Sequence, residues 1–150
     1  TRNICVMNKT NQKKKSDRMF SKGQLEGILL SLTKPEVHMS RSNDTSIGYR
    51  VRVRINFRAS ESFLLALGDT FNKRGIKYTF KEKEHRSRPR PILTVGGLVN
   101  IWKLCQLVPD DLPDSKNMWS DFKEIIRLID NGEHLTLEGF EKILELKGEI

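Results

Sequence analysis

Arginine occupies every second position of "YRVRVRINFR": Arg50, Arg52 and Arg54, then Asn56 in the same register, then Arg58. A guanidinium is a planar fork of N–H donors that suits phosphates and guanine edges, and a carboxamide suits adenine. Two more stretches repeat the device. Lys77, Thr79, Lys81 and Lys83 lie on one parity of "IKYTFKEK", and Arg86, Arg88 and Arg90 alternate in "EHRSRPRP". In "EVHMSRS", His38 and Ser40 share a parity with Glu36. The chemistry implied is recognition of a polyanion, with nucleic acid the first candidate.

Other chemistry has little footing. His38, His85 and His134 are scattered, and neither a Ser/His/Asp arrangement nor a phosphate-binding loop is present. The two cysteines, Cys5 and Cys105, have no zinc spacing and make no disulfide framework, so a reducing compartment is expected, with Cys105 in the core. Trp102 and Trp119, at helical spacing, read as core.

The charge distribution agrees with a basic working surface. The chain has 150 residues, net charge +8 and a pI near 9.7. Residues 1–90 hold 21 Lys/Arg against 8 Asp/Glu, whereas residues 91–150 hold 6 against 11. No apolar run is long enough to span a bilayer, and no apolar stretch follows Lys13, Lys14 and Lys15, so no membrane partner and no secretory leader are expected. An intracellular location is expected, in cytoplasm, nucleoid or organelle matrix. The first residue is Thr1, which suggests an excerpt or a processed chain.

The elements that must position these residues follow from periodicity. Residues 1–20 are polar, basic and aperiodic, and read as a flexible arm before one domain over 21–150. Ser21 is a suitable N-cap for a helix with Leu25, Ile28, Leu29 and Leu32 at helical spacing, ended by Pro35 at the latest. "EVHMSRS" and "YRVRVRINF" form a hairpin around the turn cluster "NDTSIG". Ser60 caps an amphipathic helix with Phe63, Leu64, Leu67 and Phe71 inward, and Gly75 stops it. "IKYTFKEK" and "ILTV" are two more strands. A helix follows with Leu98, Ile101, Trp102 and Cys105 inward, then one stopped by Asn131-Gly132 and one capped by Thr136. The fold class is therefore α+β, in the order αββαββα followed by two helices, with a four-stranded antiparallel sheet covered on one face. Val51, Val53, Ile55 and Phe57 pack on the helices, and the arginine row is left outside. Tyr49, Phe57, Tyr78 and Phe80 fall on the apolar face by parity, which favours a duplex over a stacked single strand.

Over residues 21–148 this order, the basic alternating strands and the glycine-centred first helix resemble the LAGLIDADG homing endonuclease family. "HLTLEGFEKILEL" is similar to that family's closing helix. The resemblance implies a saddle-shaped sheet in the DNA major groove. It also implies a first helix packed on its counterpart from a second copy or second domain, with Leu25, Gly27 and Ile28 at that interface. The signature then falls on "LEGILLSLT", and its metal-binding acid falls at Leu32. A lysine common in active members falls at Gly96 or Gly97. Leucine cannot ligate a hard cation, and neither Glu26 nor Glu36 stands at the right place. The reading is a nucleic-acid-binding domain derived from a homing endonuclease, without cleavage, a catalytic residue, a metal or a cofactor. The alternative is an active, Mg2+-dependent endonuclease acting as a dimer. An RNA-binding maturase or RNA-structural role is a further alternative, and a module whose basic face meets an acidic protein is another.

Overall fold

The computed structural model describes residues 19–110 and 118–148. Of the arm expected over residues 1–20, all but Met19 and Phe20 lie outside the described residues, as does Asn117 in the run "NMWSDFKEIIRLID". The described elements are α1 (Lys22–Ser31), β1 (Pro35–Arg41), β2 (Tyr49–Phe57), α2 (Glu61–Lys73), β3 (Thr79–Lys81), β4 (Ile92–Gly96), α3 (Leu98–Cys105), α4 (Met118–Asp130), a 3-10 turn (Glu133–Leu135) and α5 (Leu137–Lys147). This is the expected αββαββα order with two further helices. The four strands form one antiparallel sheet in the order β1-β2-β4-β3. Among the described residues no helix is long and apolar enough to cross a membrane.

The chain divides into two compact units, and the division falls within β2. The first unit holds the described residues up to Thr33 together with Asn56–Val95. Its helices begin where the sequence places their caps. Ser21 and Gln24 form a reciprocal capping box: Gln24 N donates to Ser21 Oγ at 3.2 Å, and Ser21 N donates to Gln24 Oε1 at 2.8 Å. Phe63 N donates to Ser60 Oγ at the start of α2, and Gly75 takes φ 71° after its end. Leu64, Leu67 and Phe71 are buried, and Phe57 packs its ring 5.6 Å from that of Phe71. Each such side chain contributes about 1.5–3 kcal/mol on leaving water. Phe20 belongs to this packing too: its ring centroid lies 5.1 Å from that of Phe63, and its N–H donates to Thr70 Oγ1.

The third strand is shorter than the run 76–83 that alternation predicts. Its register is Thr79↔Thr94, Phe80↔Leu93 and Lys81↔Ile92. Beyond Ile92 the partner chain direction reaches Pro91, which has no N–H to give, and the loop closes instead through Glu84 N donating to Arg90 O. The alternation of burial nevertheless extends past the ladder. Ile76 is buried and Tyr78 and Phe80 are half-buried, while Lys77, Thr79, Lys81 and Lys83 are exposed.

The second unit holds Lys34–Ile55 and the described residues from Gly96 onwards. Here Val51 packs with Ile125 and Leu128 of α4 and Phe140 and Ile143 of α5, and Tyr49 stacks on Phe140 with ring centroids 5.2 Å apart. Gly132 stops α4 with φ 77°, and Gly139 N donates to Thr136 Oγ1 to cap α5. Trp119 and Cys105 are buried, and burial pushes the Cys105 thiol up to about 12 against the opposing charge of Lys123. Trp102 departs from expectation: it is 44% exposed. The inward stripe of the eight-residue α3 runs through Ile101, Leu104 and Cys105, and the next position along the helix, 102, turns away from it.

Gly139 is a tight packing point of this unit. A Cβ there would lie 1.9 Å from the Glu133 carbonyl oxygen, against backbone that cannot swing aside. Gly139→Ala is expected to cost about 3 kcal/mol by overpacking. At Gly27 of α1 a Cβ meets nothing within 4 Å in the single chain, so in dilute, monomeric protein Gly27→Ala is expected to gain up to about 1 kcal/mol of helix propensity. Thermal melts followed by circular dichroism should separate the two variants in opposite directions from the parent. Equal midpoints would contradict this packing.

Candidate nucleic-acid interface

The polar row of β2 is built by the two-residue repeat of the strand. Val51, Val53 and Ile55 are buried, so Arg50, Arg52 and Arg54 must stand on the opposite face, where Arg52 and Arg54 are exposed and Arg50 is half-buried. The hairpin register sets Ser40 opposite Arg50, His38 opposite Arg52 and Glu36 opposite Arg54. His38 is exposed and Ser40 half-buried. All six side chains therefore share the outer face of β1 and β2.

These arginines are not all unpaired. Arg50 Nη2 donates to Asp44 Oδ2 at 2.7 Å, from the turn between the strands, and Arg54 Nε donates to Glu36 Oε1 at 3.0 Å. Both pairs are solvent-exposed and worth about 0–1 kcal/mol each, so they orient the guanidinium groups more than they hold the hairpin together. Arg52 has no ion-pair partner among the described residues. Sequence reasoning missed Asp44 and weighed Glu36 only as a metal ligand. The signal for Glu36 was available once the hairpin register was fixed, because a residue directly opposite an arginine is its nearest cross-strand neighbour.

Asn56 does not join the row. It is 7% exposed, and its Oδ1 accepts from Thr94 Oγ1 at 2.8 Å. Its backbone oxygen also accepts from Thr33 Oγ1. A buried carboxamide must find partners, and Thr94 of the first unit supplies one. Its place in the alternating row thus reflects an internal hydrogen-bond site rather than a surface for adenine.

In the first unit Arg58, Arg88 and Arg90 surround an open cleft of about 880 Å³ with Ser60, Glu84 and Ser87. Arg58 holds Glu84 side-on through two bonds of 2.8 Å, Nε to Oε1 and Nη2 to Oε2, and Arg88 Nη1 lies 3.9 Å from the same carboxylate. The Arg58 hydrogen bonds hold the Glu84 carboxyl below its ordinary range, and the positive charges of Arg58 and Arg88 add to the effect. Around the tight turn where His85 and Arg88 bridge, Arg86, Arg88 and Arg90 are all exposed. Lys77, Thr79, Lys81 and Lys83 are exposed on the same unit.

On α1 the structure separates the three residues assigned to a partner interface. Leu25 and Ile28 are buried within the chain, at 1% and 8% exposure, and only Gly27 is at the surface. The outward strip of this helix is Gly23, Gly27 and Leu30, at helical spacing, with Leu32 also exposed beyond its end. Among the described residues no three His, Cys, Asp or Glu side chains converge as a metal-holding group.

No family model matches the chain, and no curated protein matches it. Solved structures do. The homing endonuclease I-TnaI is 23% identical, with 88% of either chain covered and a TM-score of 0.73. The meganuclease I-SmaMI, bound to uncleaveable DNA, is 19% identical over 87% of this chain and 44% of its own, with a TM-score of 0.71. The LAGLIDADG meganuclease I-CpaMI, bound to uncleaved DNA, is 19% identical over 88% of this chain and 43% of its own, with a TM-score of 0.67. The chain thus spans most of I-TnaI but less than half of the other two. At these identities the likeness is one of architecture, and the chain has a LAGLIDADG-like α+β fold.

Proposed function

We propose that this chain binds duplex nucleic acid, DNA foremost, through the outward basic residues of its strands and loops, and that it does so without cutting. The observation that carries the reading is the outer row of β2, where Arg50, Arg52 and Arg54 project opposite a fully apolar, buried row. A polyanion is the natural ligand for such a row, and a β-surface can enter the major groove. Two structures with the same fold, I-SmaMI and I-CpaMI, were solved on DNA, which supports a duplex ligand. Aromatic platforms for unstacked bases are scarce on this face. Phe57 is buried, Tyr78 and Phe80 are half-buried, and Tyr49 is engaged with Phe140. A nucleic-acid partner implies an intracellular location.

The absence of cleavage rests on donor chemistry. The position of the metal-binding acid in the family resemblance is Leu32, the C-cap of α1, whose side chain offers only hydrocarbon. Glu26 precedes it by more than one turn, and Glu36 is engaged with Arg54. Gly96 and Gly97 stand where a lysine would be. These residues do not fit a divalent cation, which requires oxygen ligands.

Binding should depend steeply on salt. If about six phosphates are neutralised, the slope of log K against log salt should be near −5. If Arg52 reads a base edge, Arg52→Ala should weaken duplex binding by about 1–3 kcal/mol and relax preference at one position; if it serves general attraction, it should weaken all sequences alike, as Arg88→Ala should. Fluorescence anisotropy across a salt series is the measurement, and a slope near zero would sink the reading. A folded RNA that competes better than any duplex would favour the RNA alternative.

The outward strip of α1 is proposed to meet a second copy of the chain. Glycines at 23 and 27 let two helix backbones approach closely, and a two-fold dimer would present the arginine rows to two half-sites. Gly27→Leu should then shift the sedimentation profile from dimer to monomer. A parent chain that stays monomeric at high concentration, with and without DNA, rules out the homodimer.

Incubation of a bound duplex with magnesium or manganese should leave it intact. Site-specific nicks that vanish on adding a chelator would overturn the non-catalytic reading. Glu26→Gln and Glu36→Gln would then identify the acid responsible.

A further inference from the structure

The outer face of the β1/β2 hairpin is a ladder of directly opposed pairs, and one pair differs from the others. Arg54 faces Glu36 across the strands, donates to it through Nε at 3.0 Å, and has no other side-chain partner among the described residues. Arg52 faces His38 and has no ion-pair partner among the described residues, and Arg50 is tied to the turn at Asp44 through an Nη atom. A guanidinium presents its N–H groups on two kinds of edge. A bond through Nε occupies the side-on edge. It leaves the end-on edge, with parallel N–H groups on Nη1 and Nη2, for a second planar acceptor.

That end-on fork matches guanine N7 and O6 in the major groove. A phosphate can accept from the same fork, but it also accepts from donors in many other orientations and so has less need of a fixed plane. A carboxylate beside a phosphate contact would be a liability, because it repels the ligand. The same carboxylate beside a base contact is useful: it fixes the plane of the guanidinium before the ligand arrives and reduces the ordering left to do on binding. The side chains of Arg54 and Glu36 are 52% and 38% exposed, so the pair is accessible as well as fixed.

We infer that Glu36 is a positioning residue that presents Arg54 end-on to a guanine, so that this pair sets base preference at one position of the bound duplex. The inference rests on the duplex-binding reading above. Arg52, without a carboxylate, is assigned to general attraction of the ligand.

The test is selection from a random duplex pool at a fixed salt concentration. Competition binding then follows, with the selected duplex and its single-base variants. The parent should select guanine at one position that Arg54→Lys no longer selects, since lysine keeps the charge but lacks the fork. Glu36→Ala should lower that preference by about tenfold, the order of magnitude a bidentate pair supplies, while binding unselected duplex as well as or better than the parent. Glu36→Gln, whose amide oxygen can still accept from Nε, should keep most of the preference. Melting curves establish that each variant is folded, and the Arg54→Lys and Glu36→Gln results decide the matter should Glu36→Ala melt early. Unchanged base preference in Arg54→Lys overturns the inference, as does a Gln variant that loses preference as fully as Ala. A parent that binds duplex with no base preference overturns this inference alone. A parent that binds no duplex overturns the duplex-binding reading with it.

Discussion

The alternation of β2 is the constraint on which both units depend. A strand sends successive side chains to opposite faces, so commitment of Val51, Val53, Ile55 and Phe57 to the interior leaves no freedom for the residues between them. Val51 is held by α4 and α5 in one unit, and Phe57 lies against Phe71 in the other. A slip of one residue would bury three arginines and expose four large apolar side chains, a cost of many kcal/mol at about 1.5–3 for each apolar side chain alone. The orientation of the arginines is therefore a by-product of core packing. It comes at no local energetic cost beyond their mutual repulsion.

That repulsion is moderated by carboxylates placed one to a site. Asp44, Glu36 and Glu84 each meet an arginine, and they come from a turn, a facing strand and a loop respectively. Exposed pairs of this kind add little to stability. What they change is the state of the guanidinium before any ligand arrives. A free arginine such as Arg52 is an adaptable charge, whereas Arg54 and Arg58 are oriented ones. A strand face with both kinds, Arg52 beside Arg54, can attract a polyanion at long range and still distinguish among its parts at contact.

Much of this was legible in the sequence because it depended on local rules. Ser21, Ser60 and Thr136 cap their helices, and Gly75 and Gly132 follow helix ends with positive φ, as the one-dimensional pattern indicates. The buried and exposed faces of β2 follow from parity as far as Ile55. The pattern fails where tertiary partners decide. Asn56 has the parity of the arginines, but Thr94, distant in sequence, engages it in a part-buried hydrogen bond. Trp102 has the hydrophobicity of a core residue, but the stripe of α3 is filled by Ile101, Leu104 and Cys105. Leu25 and Ile28 look available for a partner until their own chain covers them. The ion pairs needed a register that no periodicity supplies.

The arrangement also bears on how a fold of this type could keep a ligand and lose a reaction. The arginine row belongs to β2 and is fixed by the apolar residues that alternate with it. The position that the family resemblance gives to a metal-binding acid falls at the end of α1, where Leu32 serves as the C-cap with its backbone N–H bonded to Ile28 O. That backbone bond is indifferent to the side chain at position 32. An acid there could be exchanged for leucine without disturbing the capping geometry or the parity of the strand. On that resemblance, cleavage and binding would draw on separate local constraints. On the proposed reading, this chain has retained the one enforced by its core and given up the one that its core never required.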